Sequence, residues 1–215
     1  MNIKNTAPLL ADFFVDTKWD YKHYEEYQIW LKQKSALLGP LYKYIIGSLH
    51  DSKILSIDFS DDDLTLSLNH SCTCLFANVF CHRNALDIKS EKLIFPIEIC
   101  FQNAKFHYYK IAKNGQMKSV KPVKSNEYMG EQILYATDNG ISLGIVIWRD
   151  NPRGYFYIGI HAKEIVITEV QKSAWRTIFG DKNMDVYYYF QEQFNTYRFL
   201  NDQNECEIVY DEFFR

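Results

Sequence analysis

The stretch Leu55-Ser56-Ile57-Asp58-Phe59-Ser60-Asp61-Asp62-Asp63-Leu64-Thr65-Leu66-Ser67-Leu68-Asn69 decides how the chain is read. Leu55, Ile57 and Phe59 alternate with Ser56 and Asp58, and Leu64, Leu66 and Leu68 alternate with Thr65, Ser67 and Asn69. A period of two is the pattern of a strand with one buried face and one wet face. Between the two runs lie Ser60, Asp61, Asp62 and Asp63, residues that accept turn conformations and prefer water. The stretch reads as a β-hairpin with all six apolar residues in the core. Leu49-His50-Asp51-Ser52 precedes it, where a helical pattern ending at Gly47 hands over to a strand at Lys53. His50, Asp51 and Ser52 read as a structural corner, with Asp51 or Ser52 bonding nearby backbone N–H groups. The chemical alternative is a His50/Asp51 acid–base pair. Neighbouring side chains on a strand point apart, which works against it.

Outward from the hairpin, the chain before it is helical. Tyr24, Tyr27, Leu31 and Leu38 recur at helical spacing, widened by Trp30 and Leu37, which predicts a helix over 19–38 capped by Asp20. Gly39-Pro40 breaks it, and a short helix to about Ile46 follows with Gly47 as its C-cap. After the hairpin, Leu93, Phe95, Ile97, Ile99 and Phe101 predict a strand that Pro96 demotes toward an edge. Asn114-Gly115 and Asp138-Asn139-Gly140 are tight-turn signals, placing strands at 106–112, 117–123, 133–137 and 141–148. Two more strands follow at 155–160 and 165–168. The tail reads as helix over 173–179, a second helix with Val186, Phe190, Phe194 and Tyr197 on its apolar face, and a last strand over 207–214. The expected fold is α+β: a curved antiparallel meander of about eight strands, with N-terminal and C-terminal helices on one face or edge. It is read as a single domain over 1–215, with a helical segment at 1–47, the sheet at 48–170 and a helical extension at 171–215.

The corner and its hairpin carry a resemblance. Leu49-His50-Asp51-Ser52-Lys53-Ile54, with the return strand Asp62-Asp63-Leu64-Thr65-Leu66, resembles an uncharacterised bacterial domain family marked by the motif "LHDS". Tyr128-Met129-Gly130-Glu131-Gln132 and Tyr157-Ile158-Gly159-Ile160-His161-Ala162-Lys163-Glu164-Ile165 are similar to that family's later strands. The match runs from about Leu49 to Glu169, and this chain has one Glu, Glu131, where the family has an aromatic-rich stretch with two. Some similar domains are immunity proteins of polymorphic toxin systems. The resemblance implies a β-rich domain and no catalytic residues.

Composition narrows the function classes. The 215 residues are 47% hydrophobic and 16% aromatic, which supports a large core and excludes disorder. The net charge of −3 lacks the basic excess with which nucleic-acid binders neutralise phosphates, so no nucleic-acid partner is expected. No apolar run approaches the length of a membrane span, and no export signal is read at the N-terminus. The five cysteines read as reduced thiols of a cytoplasmic protein.

His70, Cys72, Cys74, Cys81 and His82 form the densest group of potential ligands. On a strand, His70, Cys72 and Cys74 would share one face, and thiolate with imidazole is a zinc-type donor set. Their spacing differs from the usual knuckles, and buried cysteines also serve as small apolar residues. No metal or cofactor is therefore expected. Asp61, Asp62 and Asp63 lack the central glycine and distal glutamate of a calcium loop. No nucleophile elbow and no glycine-rich phosphate loop is present. The leading expectation is a non-enzymatic protein-binding domain, of immunity or regulatory type. It would act through exposed aromatics, with Tyr108, Tyr109 and Trp148 as binding candidates and Asp61, Asp62 and Asp63 engaging a basic partner. One alternative is a metal-dependent or acid–base hydrolase using His50/Asp51 or His70/Cys72/Cys74. Another is a carbohydrate- or peptide-binding module.

Overall fold

A computed structural model describes residues 21–44, 49–60, 62–112, 116–121, 127–150, 153–197 and 203–214. The first described elements are three helices, α1 (Tyr21–Gln33), α2 (Ser35–Leu38) and α3 (Leu41–Tyr44). The hairpin β1 (Lys53–Phe59) and β2 (Leu64–Asn69) leads into α4 (Ser71–Arg83). Seven strands follow: β3 (Pro96–Gln102), β4 (Lys105–Ile111), β5 (Met117–Ser119), β6 (Glu127–Thr137), β7 (Gly140–Asp150), β8 (Arg153–Ala162) and β9 (Glu164–Glu169). The last described elements are α5 (Gln171–Phe179), α6 (Met184–Tyr197) and α7 (Gln203–Phe213). The expected features at Trp19, Asp20, Gly47 and the Asn114-Gly115 turn lie outside the described residues.

The fold is α+β. Among the described residues nine antiparallel strands form one sheet in the order β5-β4-β8-β7-β6-β1-β2-β3-β9, open rather than closed into a barrel. Strands β6, β7 and β8 succeed one another as hairpins. Strands β3 and β4 are separated by two residues and β8 and β9 by Lys163 alone, yet each pair stands far apart in the order. The reason is a bent ribbon. Strand β3 pairs with β9 as far as Gln102–Glu164, and β4 pairs with β8 from Lys105–His161 onward. The same antiparallel ribbon therefore runs through a corner and carries the sheet from one end of its order to the other.

The acidic turn of the opening hairpin holds that corner. Asn103 takes a left-handed backbone (φ 49°), and its N–H donates to the Asp63 carboxylate at 3.0 Å. The next amide, Ala104, donates to the Asp62 carbonyl at 2.6 Å, and Lys163 N–H donates to Gln102 C=O at 3.1 Å. Ser60 fixes the turn, donating its N–H to Asp63 C=O at 2.9 Å and accepting the Asp63 N–H on its hydroxyl at 3.0 Å. At the opposite corner β1 meets β6 at the pair Lys53–Glu127. Farther along β6, the Ile133 N–H donates to the Tyr27 hydroxyl of α1 at 2.7 Å. A buried backbone donor has to be satisfied, and where β1 has left β6 a helix side chain does it.

Leu64, Leu66 and Leu68 are buried, as their alternation requires. Leu55 is not. The β1–β2 register shifts between Ile54 and Ser56, so Ile54 stands opposite Leu68 and Leu55 is left on the bulge, 41% exposed. Ile57 and Phe59 stand opposite Leu66 and Leu64 but are only partly covered, and Phe59 packs on Phe106 across the corner at 5.0 Å. Pro96 is not on an edge: it opens β3, an interior strand, at the first position, where its missing N–H costs least.

Two segments read as strand or extended chain are helices. The cysteine-rich passage forms α4, because Cys72, Phe76, Val79 and Phe80 recur at helical spacing and are all buried. Residues 203–213 form α7, with Cys206, Val209 and Tyr210 buried at the same kind of spacing. These two helices pack with α5 and α6 around an aromatic core in which Phe76 stacks on Phe190 at 4.3 Å and Trp175 meets Phe179 at a tilt, 4.5 Å apart. The core belongs to the same buried cluster as the leucines of β2.

This arrangement separates two substitutions that the alternating pattern treats alike. Leu66→Ala should lower unfolding free energy by about 2–5 kcal/mol, and Leu55→Ala by less than about 0.5 kcal/mol. Urea denaturation of both variants measures the difference.

Candidate binding face and polar clusters

Alternation along β4, β7 and β8 gives this part of the sheet a core face and an outer face. Phe156, Ile158, Ile160 and Ala162 are buried, while Tyr155, Tyr157, Gly159 and His161 point the other way. The register places Tyr155 opposite Trp148, Tyr157 opposite Tyr109, Gly159 opposite His107 and His161 opposite Lys105. The result is an aromatic outer face. Trp148 and Tyr155 lie 4.6 Å apart by ring centroid, with the Arg153 guanidinium over the indole at 5.5 Å. Tyr109 lies 6.3 Å from Tyr157 and 6.3 Å from His107. His161 Nδ1 shares a 2.8 Å hydrogen bond with Ser142 Oγ.

Gly144 and Gly159 face each other across β7 and β8, and Tyr157 lies over both. A side chain at position 144 would collide with the Tyr157 ring and hydroxyl. The glycine lets the ring lie against the backbone, which fixes one member of the face without help from a loop. Tyr155 is 46% exposed. Lys105, His107, Arg153 and His161 are exposed as well. Asp150 and Glu127, which stands opposite Trp148 on β6, are acidic neighbours, and the Asp150 carboxylate accepts the Trp148 indole N–H at 3.0 Å.

The sequence candidates divide on this geometry. Tyr109 and Trp148 lie on the outer face. Tyr108 does not: it alternates to the core side of β4, 4% exposed against Phe156, and cannot meet a partner. Tyr155, Tyr157, His107 and His161 were missed, although each sits at the outward step of a strand whose alternation was visible. Asp61 lies outside the described residues. Asp62 and Asp63 hold the corner through the bonds to Ala104 and Asn103.

At the opening corner, Ser52 makes the structural bonds. It is fully buried, its hydroxyl accepts the Ser71 N–H at the start of α4 at 3.1 Å, and its carbonyl accepts the Tyr128 N–H at 3.0 Å. Ser71 Oγ donates to His50 C=O at 2.7 Å. Asp51 has a left-handed backbone (φ 61°) and donates its N–H to Tyr128 C=O at 3.0 Å. Its side chain turns to solvent and meets His50 Nδ1 at 2.9 Å, both groups being well exposed.

The His70, Cys72 and Cys74 group does not share a face. Positions 72 and 74 of a helix project in nearly opposite directions. Burial pushes the Cys72 thiol up to about 12 and the Cys74 thiol up to about 11, so neither readily becomes the thiolate a metal or a nucleophile requires. Cys74 Sγ lies 3.4 Å from Leu93 C=O, and His70 Nδ1 lies 2.8 Å from Thr73 Oγ1. Among the described residues no three His, Cys, Asp or Glu side chains come together as metal ligands.

A different polar cluster does converge where α3, the end of β9 and α6 meet. Lys43 Nζ donates to Glu169 at 2.8 Å and to Gln191 Oε1 at 3.1 Å, and the buried Tyr44 hydroxyl donates to the same Glu169 carboxylate. Burial works to raise the Glu169 carboxyl, but the Lys43 and Tyr44 hydrogen bonds and the Lys43 charge outweigh it and hold it below its ordinary value. Burial, reinforced by Glu169, drives the Tyr44 phenol far above its usual range. The cluster therefore ties the N-terminal helices to the sheet with an ionised carboxylate and a neutral phenol.

The chain matches no family model, no curated protein and no solved structure. Among the described residues no helix is long and apolar enough to cross a membrane.

Two outcomes follow from these contacts. Glu169 has a depressed folded-state pKa, so its contribution to stability is present above the unfolded carboxylate range and is lost as pH falls through the folded value. Glu169→Gln should lower the melting temperature at neutral pH and narrow its gap from wild type on acidification. At the corner, Ser52→Ala should cost about 1–3 kcal/mol, because it strips a buried N–H of its acceptor. Asp51→Asn should cost less than about 0.5 kcal/mol. Thermal melts across pH, and urea titrations of the corner variants, read both.

Proposed function

We propose that the chain is a non-enzymatic binding protein that takes a partner protein on the outer face of β4, β7 and β8. The observation that carries this reading is the row Trp148, Tyr155, Tyr157 and Tyr109, held on rigid strands and facing away from the core. Large aromatics held on strands offer contact area at little entropic cost. Lys105 and Arg153 beside them can pair with acidic groups of a partner. The LHDS-type corner supports placing the protein with immunity-type domains, which act by covering a toxin in the cytoplasm.

In an immunity system the toxin is encoded beside its inhibitor, so the product of the adjacent reading frame is the partner to test. Calorimetric titration with that protein should give tight one-to-one binding. Tyr155→Ala and Trp148→Ala should each cost about 2 kcal/mol or more of binding energy while leaving the melting temperature close to wild type. Full affinity in both variants would rule out this face. Heat released by oligosaccharides at the same residues would favour a carbohydrate-binding module instead.

A further inference from the structure

The strands that carry the aromatic row on one side carry cations on the other. Residues 105–126 contain six lysines and no acidic residue, so this part of the chain brings no counter-charge of its own. Tyr109, Trp148 and Tyr155 point to the outer face, and Lys110, Arg149 and Gly154, each one step away, point to the opposite side. The glycine confirms it: a Cβ on Gly154 would stand 3.7 Å from Lys110 Cε. Arg149 lies directly opposite Gly154 across β7 and β8, and Lys118 directly opposite Lys110 across β4 and β5. Gly154 therefore puts no side chain between Arg149 and the lysine that passes over it. Backbones two strands apart are about 10 Å from each other, a gap that an arginine and a lysine reaching from both sides can close around one group.

The arrangement is costly by itself. Like charges directly opposite on paired strands repel, as Lys110 and Lys118 must. Lys110 and Arg149 are also half-buried, where a charge without a partner loses hydration. Among the described residues none of the three makes an ion pair or a side-chain hydrogen bond within the protein. Glu127 and Asp150 stand on the other side of the sheet, with Trp148. We propose that Lys110, Lys118 and Arg149 form an anion site that takes a diphosphate group. One phosphate lies between Arg149 and Lys110 over Gly154, and the next lies between Lys110 and Lys118. The planar guanidinium supplies paired N–H donors to phosphate oxygens, and the two ammonium groups supply charge. The site faces away from the aromatic row and stands or falls independently of the partner-binding reading.

Calorimetric titration of the full chain with inorganic pyrophosphate, in low salt and phosphate-free buffer, tests the site. Binding should saturate at one equivalent, weaken as salt is added, and raise the melting temperature. Lys110→Gln, Lys118→Gln and Arg149→Gln should each weaken it about tenfold. Lys105→Gln, at the far end of β4 and on the outer side, should leave it unchanged. With no anion added, Lys118→Gln should melt no lower than wild type, because it removes a repulsion. ADP titrated in parallel tells the source of the group: tighter binding than pyrophosphate assigns it to a nucleotide, and equal or weaker binding to the inorganic ion. If Arg149→Gln fails to fold, the two lysine variants decide. No binding of millimolar pyrophosphate in low salt overturns the proposal. So does a loss in Lys105→Gln as large as in Lys110→Gln, since overall charge and not this site then holds the anion.

Discussion

Two consecutive backbone amides, those of Asn103 and Ala104, are held by Asp63 and Asp62 from a turn forty residues earlier in the chain. The bend they stabilise lets one antiparallel ribbon serve both ends of the sheet order. Strands cannot turn a sharp corner and keep every ladder bond, so the freed donors need other acceptors. A short acidic turn supplies them with one carboxylate and one carbonyl. The left-handed backbone at Asn103 falls on a residue type that tolerates it. The opening hairpin is thus tied to the strands that carry the outer face.

The other corner solves the same problem with different chemistry. Where β1 parts from β6, the Tyr27 hydroxyl accepts the Ile133 amide and Ser52 accepts those of Tyr128 and Ser71. These bonds join α1 and the hairpin to β6, and the hairpin to the start of α4. The Lys43–Glu169–Tyr44 cluster adds an ionic tie between α3 and the end of β9. Each is a polar contact at a point where regular pairing stops, and the apolar side chains fill the space between.

The outer face owes its character to this framework. Core residues occupy one side of β7 and β8 almost without interruption, which leaves the bulky aromatics of the other side turned outward on a stiff base. The Gly144–Gly159 pair under Tyr157 shows how closely side chain and backbone are matched there. A binding surface set on strands keeps its shape without a partner, which is the property the proposed function draws on.

Local patterns in the sequence were enough to place most strands, the tight turn between β6 and β7, and the first, fifth and sixth helices. Those features depend on neighbours two to four residues apart. The alternation of Leu64, Leu66 and Leu68 fixed their burial for that reason. Leu55 escaped the same rule because a bulge is a relation between two strands, and a single strand's pattern does not contain it. The helices α4 and α7 were legible in the spacing of Cys72, Phe76 and Phe80 and of Cys206, Val209 and Tyr210, but competing cysteine and β-former signals obscured them. Tyr109 and Trp148 could be named as aromatics on strands. That Tyr108 faces inward while Tyr155, Tyr157, His107 and His161 face outward was set only when β8 came between β4 and β7. The sequence by itself determined the elements and their amphipathic faces, because these follow from backbone period. Tertiary structure decided the strand order, the two corners and the composition of the outer face, because each rests on hydrogen bonds between residues far apart in the chain.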